Sequence, residues 1–264
     1  MTKQRQTRAS SSAAPRFRYR ALGATVVLGV ASVLASAPAP ARAAGRAAAA
    51  ATGGADDPAV VELVVELLAA GTTPQRTVAA LAALTRLADP RALEVVVLYA
   101  GHRRPEVRRE AVKALAALPD PRALAPLLER LGDESPEVRA EAATALAVRR
   151  EARAVPRLVR LVRRGDLGAA TPLGRLATPE TIGELCELQG GVNEAVLATA
   201  LGTAVQRNDI NDGLRVEALR TIAKLHGVEA TAALADYLAS IPPRDNRGSK
   251  REAQRLLDER GGDR

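Results

Sequence analysis

Asp89-Pro90-Arg91-Ala92-Leu93 returns 31 residues later as Asp120-Pro121-Arg122-Ala123-Leu124. The echo continues down the chain. Pro105-Glu106-Val107-Arg108 becomes Pro136-Glu137-Val138-Arg139, Glu110-Ala111 becomes Glu141-Ala142, and Ala114-Leu115-Ala116 becomes Ala145-Leu146-Ala147. A fixed period of this size marks a repeat architecture. Each unit reads as two helices. Asp at an N-cap accepts from the free N–H groups of the first turn, and Pro suits the next position, where its missing N–H costs nothing. Leu124, Leu127, Leu128 and Leu131 then form one apolar stripe, and Val107, Ala111, Leu115 and Leu118 another. Helices this short cannot bury such stripes alone, so neighbouring units must stack. The expected fold class is all-α, an α-solenoid of stacked antiparallel helix pairs.

Outward from this stretch the period holds and then drifts. Asp57-Pro58 and Thr73-Pro74 begin an earlier unit, and Glu151-Ala152-Arg153-Ala154 keeps the step without Asp-Pro. Residues 165–177 hold Gly165, Gly168, Pro172 and Gly174, which predicts only a short helix there. Thr178-Pro179 opens another helix, and one more is expected from about Asn193 to Gln206. Leu214-Arg215-Val216-Glu217-Ala218-Leu219 reproduces the second-helix pattern of Val107 to Val112. If 214–225 is a second helix, 193–206 is its partner, 178–189 is the second helix of the unit before, and 165–177 is an irregular insertion. The solenoid is placed over 57–260, with about six units, and residues 261–264 as a disordered tail after the paired Gly261-Gly262.

The N-terminus is a different kind of sequence. Lys3, Arg5, Arg8, Arg16, Arg18 and Arg20 precede an uncharged run from Ala21 to Ser36, which ends in small residues around Ala41-Arg42-Ala43. Basic region, short apolar region and small-residue cut site are the signature of a secretory signal peptide over 1–43, with cleavage after Ala43. The protein is therefore expected in the periplasm, the cell envelope or outside the cell. The competing reading is an uncleaved anchor at 21–36, but that run is shorter than the roughly 20 apolar residues that span a bilayer. Residues 44–56 are Ala- and Gly-rich and read as a flexible leader.

The signal changes the charge argument. The chain has 38 Lys and Arg against 30 Asp and Glu, net +8. Seven of the basic residues and no acid lie within 1–43, which leaves 31 against 30, net +1, for the rest. The mature chain lacks the excess of basic charge that nucleic-acid binding requires. It also has no Trp or Phe past Phe17 and only Tyr99 and Tyr237, so stacking platforms for single strands are missing. A single cysteine, Cys186, makes no intramolecular disulfide. It falls on an apolar stripe and is expected as a buried thiol.

These units resemble the HEAT-like repeats, in particular the short class of about 30 residues named after the phycobilin lyases. The resemblance rests on Asp-Pro with Ala-Leu in the first helix and Pro-Glu-Val-Arg-x-Glu-Ala-x-x-Ala-Leu in the second. It is clearest over 89–150, fainter over 57–88 and 214–259, and faintest over 151–207. It implies a right-handed superhelix whose second helices line the concave face. It also implies that Arg108, Arg139 and Arg215 form a ladder with acidic caps such as Asp120. Members that act on bilins need polar and aromatic groups round the chromophore; this chain supplies almost none, and lyase activity is not carried over.

Two surfaces stand out. Arg149, Arg150, Arg153, Arg157, Arg160, Arg163 and Arg164 crowd together with only Glu151 opposing, and Arg153, Arg157, Arg160 and Arg164 share one helix face. Guanidinium groups suit an acidic protein segment or an anionic lipid, against the plain reading of a solvated helix face. Arg109, Lys113, Thr144 and Arg220 are expected along the groove side of second helices, where they meet a partner or simply water. His226, before Gly227, is expected as a helix C-terminal cap, and His102 in an interhelix turn. No residues with catalytic, cofactor-binding or metal-ligating spacing appear, so no cofactor is expected and the chain reads as a non-enzyme. Three functions remain open: an exported scaffold for an unidentified protein partner, an accessory or lyase-like subunit of an enzyme, and a peripheral membrane adaptor using Arg149–Arg164. The oligomeric state, monomeric or otherwise, is open too.

Overall fold

The caps that the sequence supplies set the helix starts. The computed structural model describes residues 58–69 and 71–262, so the 1–43 signal, the 44–56 leader and Asp57 lie outside it. Asp89 and Asp120 each accept from the N–H two residues on, of Arg91 and Arg122, both at 2.8 Å. Each Asp-Pro opens one 3-10 turn, Pro90–Ala92 or Pro121–Ala123, which runs directly into an α-helix. Glu151 does the same for Ala152–Ala154, so the unit that lost Asp-Pro kept the cap. Thr73, Ser135, Thr178, Asn193 and Asn211 cap the other helices through their side chains.

Thirteen α-helices follow among the described residues: α1 Pro58–Leu68, α2 Pro74–Leu87, α3 Leu93–Ala100, α4 Pro105–Ala117, α5 Leu124–Arg130, α6 Pro136–Val148, α7 Val155–Arg163, α8 Ala170–Leu176, α9 Pro179–Glu187, α10 Glu194–Val205, α11 Asp212–Lys224, α12 Val228–Ser240 and α13 Gly248–Gly262. The compact unit begins at Glu62; of the other, Met1–Val61, the structure describes only residues 58–61. The chain is an all-α solenoid. The second-helix stripe is inside, with Val107, Ala111, Leu115 and Leu118 buried; of the first-helix stripe Leu127 and Leu131 are buried, while Leu124 and Leu128 are half-buried.

Packing sorts the helices into two rows. Helices α2, α4, α6, α8, α10 and α12 touch in succession along one row, while α9, α11 and α13 touch along the other, where α3 and α5 meet only sparsely. The segment 167–176 is therefore not an insertion. A 3-10 turn, Leu167–Ala169, and α8 take a place in the second-helix row, packed on α6. The consequence is a crossing. Helix α11 has the second-helix sequence pattern but lies in the first-helix row, and α10 and α12 lie in line with α6.

Gly174 explains how the short α8 fits. A Cβ on Gly174 would stand 2.4 Å from the Ala200 carbonyl oxygen and 2.6 Å from the Thr203 Cβ, so only glycine lets α8 approach α10 this closely. At the other end α13 continues through Gly262, past the expected stop at Gly261. Arg260 anchors that last turn by donating to the carbonyls of Ala223 and Leu225 at 2.7 and 2.9 Å.

Candidate interaction surface

Most of the arginines are used to join units. Arg108 donates through Nε and Nη2 to the two Asp133 carboxylate oxygens at 2.9 and 2.6 Å, and through Nη1 to the carbonyls of His102 and Arg103 at 3.0 and 3.2 Å. Arg139 repeats the arrangement with Asp166 at 2.6 Å and the carbonyls of Asp133 and Glu134 at 2.9 and 3.0 Å. Each guanidinium thus braces the loop before its own helix and fastens the corresponding loop of the next unit. Burial pushes the Asp133 carboxyl up. The bonds from Arg108 and the Ser135 N–H, with the charges of Arg108 and Arg130, bring it below the usual carboxylate value.

The ladder therefore runs through loop acids and not, as the resemblance implied, through caps such as Asp120. Asp120 is held by Arg122, at 3.1 and 2.8 Å from its Oδ2. The reason is geometric. Arg108 and Arg139 sit in the first turn of their helices, whereas the first-helix cap lies at the opposite end of an antiparallel pair. Arg215 departs further: it is buried and donates back to the carbonyls of Val205 and Arg207 at 2.9 and 2.7 Å, with no acid of the following unit.

A second set of arginines plugs helix C-termini one unit back. Arg149 donates to the carbonyls of Leu115, Ala116 and Leu118 at the end of α4. Arg207 does so for Gly174 and Ala177 after α8, and Arg130 for Ala100 at 3.0 Å. Helix ends leave such carbonyls unpaired, so these bonds satisfy groups that would otherwise be buried without partners. Arg149 thus belongs to the stack and not to an exposed basic face.

The remaining candidates divide among three places. Arg109 on α4 pairs with Glu141 on α6 at 3.3 Å, and Lys113 with Glu110 at 3.0 Å, while Thr144 is exposed at the position of α6 equivalent to Lys113. These share the second-helix row. Arg220 does not join them. It lies on α11 in the other row and pairs with Glu252 of α13 at 2.7 Å. Arg255 and then Arg220 hold the Glu252 carboxyl down to about 2. On α7 and the residues that flank it, Arg153, Arg157, Arg160 and Arg164 are exposed, opposite the buried Val155, Leu158, Leu161 and Val162. Arg153 binds the Glu151 carboxylate at 2.8 Å and draws its pKa to about 2.

An open cleft of about 440 Å³ lies between α9 and α11, with Glu187, Gln189, Glu217, Arg220 and Lys224 in its walls. Cys186 borders it but is buried, and burial pushes its thiol up despite a hydrogen bond with Thr221. His226 is not a C-terminal cap. Its backbone N–H donates to Glu194 at 2.6 Å and its ring lies 3.2 Å from the same oxygen, so it ties the turn after α11 to the start of α10. His102 sits in its turn, stacked on Tyr99 at 6.0 Å between ring centres. Among the described residues no cluster of His, Cys, Asp and Glu could hold a metal ion, and no helix is long and apolar enough to cross a membrane.

Sequence reasoning missed the carbonyl plugs and an acidic face on α9, Glu180, Glu184 and Glu187. The first had a signal in arginines about one period after helix ends, and the second in the i, i+4, i+7 spacing of the glutamates.

The family of HEAT repeats matches residues 73–135, 94–172 and 124–202. Solved structures similar to the chain include a designed armadillo repeat protein, 22% identical over 75% of this chain and 98% of that one, with a TM-score of 0.39. The complex of CpcE and CpcF of phycocyanin lyase from Nostoc sp. PCC7120 is 17% identical over 79% and 97%, with a TM-score of 0.45. No curated protein matches the chain.

Proposed function

Since the chain is a HEAT-like repeat protein, we propose that it serves as an exported, non-catalytic scaffold for protein–protein interaction. The observation that carries this reading is the outward strip on α4 and α6. Its charges are paired only sideways, Arg109 with Glu141 and Lys113 with Glu110, with Thr144 beside them. The Arg109–Glu141 pair, solvent-facing at its guanidinium, is worth only about 0–1 kcal/mol, so a partner can replace it at little cost. The groups that would be costly to disturb, Arg108, Arg139 and Arg149, are turned into the stack. Stacked repeats offer long binding surfaces of this sort.

The test is photocrosslinking in cells from a residue placed at Thr144. A discrete protein adduct is expected, and Arg109→Glu with Lys113→Glu should abolish it. If position 144 captures no protein, or the adduct ignores both substitutions, the scaffold reading fails. Export rests on the basic, apolar and small-residue sequence of 1–43. Mature protein recovered outside the cytosol should begin at Ala44; recovery in the cytosol with its original N-terminus would contradict export.

A further inference from the structure

Two oppositely charged faces lie on α7 and α9, the helices before and after α8. On α7 and its end, Arg157, Arg160 and Arg164 are exposed on the side away from Leu158 and Val162. Arg157 donates to the Leu128 carbonyl at 2.6 Å and keeps its charge unopposed. The side chains of Arg160 and Arg164 make no ion pair or hydrogen bond among the described residues. On α9, Glu180, Glu184 and Glu187 are exposed on the side away from Ile182 and Leu185, and among the described residues none of them forms an ion pair. Like charges stacked on one helix face repel, so each face is at a small disadvantage until something opposite covers it. Both faces are exposed, and no ion pair joins them among the described residues.

We propose that these faces form a self-complementary dimer interface, with a second copy of this chain as the occupant. A two-fold axis along the helices lays the α9 glutamates of one copy over the α7 arginines of the other, and the reverse. This is an isologous contact: whatever the first copy's α7 does to the second copy's α9 is repeated with roles exchanged. The spacing fits. Arg157, Arg160 and Arg164 step by three and four residues, and Glu180, Glu184 and Glu187 by four and three, so both sets recur once per turn over the same length of helix. Guanidinium and carboxylate also match as forks. An anionic membrane would attract the arginines but repel the glutamates, and an acidic peptide would leave α9 uncovered. A second copy answers both faces at once. This inference stands apart from the scaffold reading, which uses α4 and α6.

Sedimentation of the protein as cells produce it tests the interface. A dimer is expected at about 20 mM salt and its dissociation at about 500 mM, because these charges become screened. Arg157→Glu, Arg160→Glu and Arg164→Glu together should weaken dimerisation by about tenfold or more at low salt, with helical circular dichroism unchanged. Glu180→Arg, Glu184→Arg and Glu187→Arg should do the same. Mixing the two triple variants should restore a dimer, since each chain then offers one sign on both faces. The wild-type protein remaining monomeric at low salt, binding of anionic vesicles by that monomer, dimers indifferent to reversal, or a mixture that stays monomeric would each overturn the proposal.

Discussion

Residues 105–139 and 212–252 carry the same helix signature and use it differently. Arg108 and Arg139 brace their own loops and also reach forward to Asp133 and Asp166 of the next unit. Arg215 braces its own loop through Val205 and Arg207 and has no forward acid. There the next helix is tied by Asp212, which accepts from the Ser249 backbone N–H at 3.1 Å, and by Arg220 on Glu252. Ser249 is fully buried and its hydroxyl also bonds the Tyr237 phenol at 2.6 Å. The signature thus encodes the local brace. The bond between units is a separate feature, and it changed when α11 moved to the other row.

The largest effect expected from this difference is that of Arg108→Ala. It leaves the Asp133 carboxylate, 4% exposed, with only the Ser135 N–H and the charge of Arg130, and should cost about 3–5 kcal/mol in urea unfolding. Arg215→Ala leaves carbonyls and no buried acid, and should cost less, about 1–3 kcal/mol. A loss equal to that of Arg108→Ala would erase the distinction.

Gly174→Ala tests the crossing itself. The new methyl would collide with backbone at Ala200, and a loss of about 1–3 kcal/mol is expected, with hydrogen exchange rising first in α8 and α10. No change would mean that the close approach of α8 and α10 does not hold the second-helix row together.

Acid should loosen the link between Arg108 and Asp133. The folded pKa of Asp133 is below its unfolded value, so its contribution is complete above about pH 4 and is lost as pH falls toward the folded pKa. Stability should therefore fall less steeply below about pH 4 in Asp133→Asn than in wild type. Equal slopes would remove Asp133 from the account of acid unfolding.

Much of the fold was legible because its signals are local. Asp89 and Asp120 cap the turn immediately after them, and Leu115 and Leu127 fall inward by helical spacing alone. The crossing at 165–177 was not legible in the same way. It depends on Gly174 meeting Ala200 and Thr203, residues of another unit, so glycines that looked like helix breakers are contact residues. The arginines divide likewise. The exposed face of α7 followed from spacing, whereas the direction in which Arg149 reaches, back to Leu118, depends on how units stack. Arg220 was grouped with Arg109 and Lys113 by sequence pattern; packing put it in the other row.

A double-mutant cycle on Arg108 and Asp133, followed by urea unfolding beside one on Arg215 and Asp212, tests most directly whether the link between units is separable from the signature. Arg215 lies 3.5 Å from Asp212 within its own helix. Coupling of about 2–3 kcal/mol is expected for the first pair and under about 0.5 kcal/mol for the second. Coupling near zero for Arg108 and Asp133, or equal coupling in the two pairs, would contradict it.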